Sequence, residues 1–193
     1  MVARLWWVRH GPTHERAFAG WRDLAADLSD TAALGRLHDH LPPGALLVSS
    51  DLSRARMTAD CLAEGRTRLG DMRALREFDF GTWDGLTHDE VTARDPDLSR
   101  AFWETPGAIR APGGECWDEV AERVETAIAD LSTAHPGRDL IAVAHMGVVL
   151  SHLGGAGGLG VAAALGHRID PLSVTRLDRD GAGWRIVSVN HRP

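Results

Sequence analysis

With 193 residues, 44% of them hydrophobic and 25% charged, the chain has the balance of a globular domain with a sizeable core, which excludes disordered and fibrous classes. A net charge of -6 argues against a nucleic-acid-binding face, although a site can be locally positive inside an acidic protein. Cys61 and Cys116 supply neither a disulfide framework nor a thiolate metal site, and no apolar run approaches the roughly 20 residues of a membrane helix. With no signal-peptide pattern before Arg9, a cytoplasmic location is the default expectation, and neither nucleic acid nor membrane is expected as a partner.

The first informative stretch is Leu5-Trp6-Trp7-Val8-Arg9-His10-Gly11-Pro12-Thr13. Its apolar run has the length of a buried strand, and Gly-Pro ends it as a turn. A cation and an imidazole are left at the carboxyl end of the strand, where open α/β sheets hold their ligands. Taken alone, Arg9-His10 reads more simply as the polar edge where a strand meets solvent. Residues 13–30 are polar and irregular, an ordered loop anchored by Trp21 and Leu28. Ser29 or Asp30 caps a helix to about Leu41, and Pro42-Pro43-Gly44 stops it. Residues 45–49 predict a second buried strand. Asp51 then stands as the N-cap of a helix that carries Arg54, Arg56 and Met57 towards Ala63.

Residues 73–80 mix apolar and charged types and predict a strand edge running into a loop at Gly81-Thr82-Trp83-Asp84-Gly85. Two short helices over 87–94 and 98–104 precede a loop containing Pro106-Gly107 and Pro112-Gly113-Gly114. Over residues 117–134, Val120, Val124, Ile128 and Leu131 recur at helical spacing, an amphipathic helix that Pro136-Gly137 ends. Leu140-Ile141-Ala142-Val143-Ala144 is a strand that stops at His145, as the first stops at His10, with a helix expected just after it. Runs 172–177 and 184–189, joined by Asp178-Arg179-Asp180-Gly181, predict an antiparallel hairpin. This alternation predicts one domain over residues 1–193. Its class is α/β, a three-layer α/β/α sandwich around a mixed, mostly parallel sheet with the hairpin at the C-terminus.

Two patterns invite readings that their context does not support. Gly155-Ala156-Gly157-Gly158-Leu159-Gly160 fits the dinucleotide fingerprint GxGxxG, but it follows a helix rather than a strand and opens no βαβ unit. A glycine-rich helix end is the simpler account. His38 and His40 suggest a metal pair, yet a spacing of two puts them on different faces of a helix.

Four places put polar residues just beyond a strand or at the head of a helix: Arg9-His10, Arg54, Glu77 and His145. Two cations, two imidazoles and a carboxylate are the parts for phosphoryl transfer through nitrogen. A neutral imidazole attacks phosphorus, cations hold the phosphate oxygens, and an acid protonates the departing oxygen. Each part alone has a duller explanation, as a solvated charge or a satisfied buried group; the joint pattern is harder to dismiss.

Arg9-His10-Gly11-Pro12-Thr13 resembles the RHGxT signature of the histidine phosphatase superfamily, the phosphoglycerate-mutase-like branch. The resemblance continues in order. Ser49-Ser50-Asp51-Leu52-Ser53-Arg54-Ala55 with Thr58-Ala59 is similar to its second arginine motif. The stretch from Leu75 through Glu77 to Gly85 is similar to its acid motif. Pro112-Gly113-Gly114-Glu115 is similar to the loop before its long helix, and Ala144-His145-Met146-Gly147 to its second-histidine motif. A phosphoglycerate-mutase-like fold follows from the resemblance. So do His10 as nucleophile, Arg9, Arg54 and His145 around the phosphate, and Glu77 as proton donor, with Thr13 and Arg16 as further candidate phosphate contacts.

For His10 to attack through one ring nitrogen, the other must donate its proton, most simply to a carbonyl in the Gly11-Pro12 turn. His145 is best protonated when a phosphate dianion is beside it. No cofactor or metal is called for, because the arginines supply the charge that Mg²⁺ supplies elsewhere. The chain departs from the family where asparagine is usual and Arg16 stands, either a bidentate phosphate contact or a solvated side chain. Cys116 replaces the usual serine after Gly-Gly-Glu and is a poor helix cap. Asp84 stands where glutamate is more usual.

Three functions remain open: a phosphomonoesterase, a mutase that returns the phosphoryl group to its substrate, and a non-catalytic phosphate-binding relative. The short segment between Glu77 and His145 favours the first, because a more open site admits water. The expected partner is a small phosphorylated substrate or inorganic phosphate. Arg16, Trp21, Trp83, His88, Trp103 and Arg110 are candidates for the mouth, with core packing the commoner fate of tryptophans.

Overall fold

In the computed structural model, which describes residues 1–181 and 183–193, the first apolar run becomes β1 (Arg4–Arg9). The chain continues through α1 (Thr31–His40), β2 (Leu46–Ser50), α2 (Ser53–Cys61) and β3 (Thr67–Met72). Then come α3 (His88–Arg94), α4 (Pro96–Glu104), α5 (Trp117–Ala134), β4 (Asp139–Ala144), α6 (Met146–Gly154) and α7 (Val161–Leu165). It ends in the antiparallel pair β5 (Val174–Asp180) and β6 (Gly183–His191). The strands form one sheet in the order β3-β2-β4-β1-β5-β6. β1, β2, β3 and β4 are parallel neighbours, and β5 turns antiparallel against β1.

Alternation along the central strands builds the layers. Leu5 and Trp7 of β1 join Leu46 and Val48 of β2 and Leu140 and Ala142 of β4 in a core with Val120, Val124 and Ile128 of α5 and Val149 and Leu153 of α6. Trp6 and Val8 point the other way, with Leu47, Ile141 and Val143, onto Leu37 of α1 and Ala55 and Ala59 of α2. A strand buried on both faces must be apolar throughout, which is why these three read as continuous hydrophobic runs. Each fully buried Leu or Val in them contributes about 1.5–3 kcal/mol of transfer free energy. No helix among the described residues is long and apolar enough to cross a membrane.

Two local expectations fail for identifiable reasons. The strand near residue 73 lies earlier, at Thr67–Met72, and residues 73–75 form a 3-10 turn instead. β3 sits at the sheet edge and is half exposed, so it carries almost no apolar signal. Asp51 does not cap α2, whose N-cap is Leu52, because both its carboxylate oxygens accept from Arg76 at 2.7 and 2.8 Å. The first turn of α2 is held from the 13–30 loop, where Asp23 accepts from the Ser53 backbone N–H at 2.6 Å and hydroxyl at 2.7 Å. Asp30 does cap α1, accepting from Ala33 at 2.9 Å.

Candidate active site

The parallel register places the carboxyl ends of β1, β4 and β2 side by side. Arg9 lies opposite Ala144, Ser49 lies opposite Val143, and the His10 N–H donates to the Ala144 carbonyl at 3.0 Å. His10 and His145 therefore leave adjacent strands at the same level, with ring centroids 5.1 Å apart at 60°. His10 is 6% exposed and His145 is fully buried.

His10 Nδ1 lies 2.6 Å from the Gly11 carbonyl oxygen. A carbonyl only accepts, so Nδ1 carries the proton and Nε2 keeps its lone pair. Burial, followed by the Arg54 and Arg9 cations, takes its pKa down to about 3 against the partial support of that hydrogen bond. The ring is thus neutral and nucleophilic across the ordinary pH range. The turn itself is fixed by Thr58, whose hydroxyl accepts from the Gly11 N–H at 2.9 Å and donates to the Arg54 carbonyl at 2.7 Å.

Arg54, one residue into α2, is 1% exposed. Its guanidinium donates to the carbonyls of Arg22, Ala19 and Gly20 at 2.9, 3.0 and 2.7 Å, and through Nε to His145 Nδ1 at 3.2 Å. Because Nδ1 of His145 accepts, its Nε2 carries the proton and donates to Ser50 Oγ at 2.9 Å. As arranged here His145 is neutral, and burial together with His10 and the Arg54, Arg123 and Arg9 cations holds its pKa well below the ordinary imidazole value. Charging it against these cations takes an incoming anion.

Glu77 is 8% exposed on a segment outside any helix or strand. Its Oε1 accepts from the Phe78 N–H at 3.0 Å and its Oε2 from the Gly147 N–H at 3.1 Å, which fixes the plane of the carboxyl. Gly147 is required there: a Cβ would sit 2.4 Å from Glu77 Oε1 and 2.5 Å from a Phe78 ring carbon. Arg9 donates through Nη1 to the Ile169 carbonyl at 2.5 Å, and its buried Nε has no partner among the described residues. Desolvation lowers the Arg9 pKa, offset first by Glu77 and then by Asp170.

The structure thus brings His10, His145, Arg54, Glu77 and Arg9 into one cluster. Arg16 is exposed, and among the described residues no hydrogen bond or ion pair ties its side chain, or that of Thr13, to the other five. The tryptophans divide. Trp83 is buried in the core, whereas Trp21 is half-buried with its indole N–H on the Glu77 carbonyl at 2.9 Å. Sequence reasoning missed Ser50 as the His145 partner, although it closes an apolar strand as His10 and His145 do. It also missed Arg123, which lies on a helix with no local signal. An apolar cleft lined by Phe78, Phe80, Phe102, Trp103, Met146 and Leu165 opens beside Glu77. No group of three or more potential metal ligands occurs among the described residues.

The family model of the histidine phosphatase superfamily (branch 1) matches residues 5–192, and the chain belongs to that superfamily. Among curated relatives, the bifunctional protein Rv2228c of Mycobacterium tuberculosis is 32% identical over 93% of this chain and 51% of its own length. The chain thus spans about half the length of the curated relatives it matches first. Glucosyl-3-phosphoglycerate phosphatase of Mycolicibacterium vanbaalenii is 36% identical over 77% of this chain and 71% of its own. Among solved structures, the mycobacterial glucosyl-3-phosphoglycerate phosphatase Rv2419c in complex with inorganic phosphate superposes with a TM-score of 0.83 at 30% identity, covering 97% of each chain.

Proposed function

We propose that this domain is a phosphomonoesterase acting on a small phosphorylated metabolite through a phosphohistidine on His10. The observation that carries the reading is the His10 tautomer: Nδ1–H on the Gly11 carbonyl leaves a neutral Nε2 lone pair beside the buried guanidinium of Arg54 and the half-buried one of Arg9. That lone pair attacks phosphorus, the P–O bond to the leaving group breaks, and Glu77 gives its proton to the departing oxygen. Water then attacks the phosphohistidine, Glu77 takes back a proton, and the N–P bond breaks to release phosphate. Arg9, Arg54 and, once charged, His145 stabilise the oxygens in both steps. Relatives named as phosphatases, one of them solved with inorganic phosphate, support hydrolysis over transfer back to the substrate.

The test is leaving-group dependence. General acid help is worth about 10²–10⁴-fold, so Glu77→Gln is expected to lose most turnover on alkyl phosphates and much less on p-nitrophenyl phosphate, whose leaving group needs little protonation. Equal losses on both, or no acid-labile phosphate on His10 after rapid quench, refute the reading.

A further inference from the structure

The Pro112-Gly113-Gly114-Glu115 motif takes no part in the chemistry above, yet it lies directly against the segment that carries the acid. A Cβ on Gly114 would stand 2.1 Å from the Asp79 carbonyl oxygen and 2.8 Å from the Gly81 nitrogen, so the two main chains meet with no room for a side chain. They are laced together there. Glu115 N–H donates to the Asp79 carbonyl at 2.8 Å, Asp79 N–H to Glu115 Oε2 at 2.9 Å, and Thr82 N–H to the Pro112 carbonyl at 2.9 Å.

Arg123, on the first half of α5, completes the arrangement. Its Nε and Nη2 donate to the two oxygens of Glu115 at 2.8 and 2.9 Å. Its Nη1 donates to the Ala74 carbonyl at 2.8 Å, and Nη2 also to the Glu77 carbonyl at 3.0 Å. Both side chains are 18% exposed, where a bidentate pair keeps its geometry better than a surface ion pair does. The Glu77 carbonyl accepts a second bond from the Trp21 indole. The acid's main chain, which no helix or strand holds, is therefore gripped at residues 74, 77 and 79 by one guanidinium and one carboxylate.

We infer that Arg123 and Glu115 are positioning residues for proton donation by Glu77. Neither touches the reacting atoms. They set where the Glu77 carboxyl stands relative to the departing oxygen, and a displacement of about 1 Å at such a group costs on the order of 10²-fold in rate. The inference rests on the assignment of Glu77 as the acid.

The test uses a series of phosphomonoesters running from glycerol phosphate to p-nitrophenyl phosphate, with kcat and KM measured separately for the full chain. Arg123→Met and Glu115→Gln are expected to lower kcat about 10–100-fold on the alkyl esters and less than about 3-fold on the nitrophenyl ester, with KM held within about twofold. Arg123→Lys, which keeps the charge and one donor to the loop, is expected to fall between wild type and Arg123→Met. Glu77→Gln combined with Arg123→Met is expected to be no slower on alkyl esters than Glu77→Gln alone. A uniform loss across the series, or additive losses in the double variant, makes Arg123 merely structural and overturns the inference while leaving Glu77 as the acid. A Glu77→Gln variant without leaving-group dependence overturns the assignment of the acid itself. Should Arg123→Met fail to fold, Trp21→Phe removes one N–H from the same carbonyl and must show the same leaving-group signature.

Discussion

Lowering the pH from about 7.5 to about 5 is expected to remove about 4 kcal/mol of folding stability through two buried histidines. His10 and His152 have folded pKa values of about 3 and about 4 against an ordinary 6.5, with burial as the first cause in each. His152 has a second reason to refuse a proton. Its Nδ1 accepts from the Trp7 indole at 3.2 Å, and a proton there would set two donors against each other. Because both folded values are depressed, the unfolded chain binds protons that the folded one does not. Stability is therefore lost as pH falls from 6.5 towards the folded values. At about pH 5 each unfolded histidine is stabilised by protonation by about 1.5 × 1.36, or about 2 kcal/mol, while the folded ones stay neutral.

His145 adds to the loss in the same direction. Asp23, Asp51 and Asp170, whose folded pKa values are also lowered, begin to contribute only as pH nears their ordinary 3.8. Against a total stability of about 5–15 kcal/mol, 4 kcal/mol is readily measured. Urea titrations followed by tryptophan fluorescence at the two pH values give the difference directly. His152→Gln, whose carbonyl takes over the Trp7 N–H, should shrink it by about 2 kcal/mol. An unchanged midpoint between the two pH values, or an undiminished pH response in His152→Gln, refutes the argument.

Gly147→Ala drives a methyl into Glu77 and the buried Phe78 ring. Overpacking of this kind costs about 1–3 kcal/mol, and moving the acid should slow alkyl phosphates about 10²-fold; a melt and the ester series read both. Activity is expected to survive chelation, because no step above draws charge from a metal. Turnover abolished by EDTA and restored by a divalent ion contradicts the role given to Arg9 and Arg54.

The two candidate histidines were legible because each follows a strongly marked element. β1 and β4 are apolar on both faces, so the position after each stands out in the sequence, and Arg54 and Glu77 sit in stretches similar to the family's motifs. The supports were not legible. Arg123 occupies the polar side of an amphipathic helix, where an arginine ordinarily faces water, and only the approach of residues 74–77 and of Glu115 gives it four acceptors. Asp51 had the chemistry of a cap and the place of one, but Arg76, distant in sequence, offered two hydrogen bonds instead. β3 buries too little for hydrophobic patterning to reveal it.

The ladder that joins Arg9 and His10 to Ala144 on one side, and Arg9 to Leu172 and Ser173 on the other, has an evolutionary consequence. The spacing of the two imidazoles is a property of strand register, which changes only by whole residues, each slip turning every side chain to the opposite face. Residues 13–30, and the segment carrying α3 and α4 short of the Pro112-Gly113-Gly114-Glu115 contact, are under no such quantum. They can lengthen, shorten or exchange side chains by degrees, and substrate preference can drift while the reactive pair keeps its spacing.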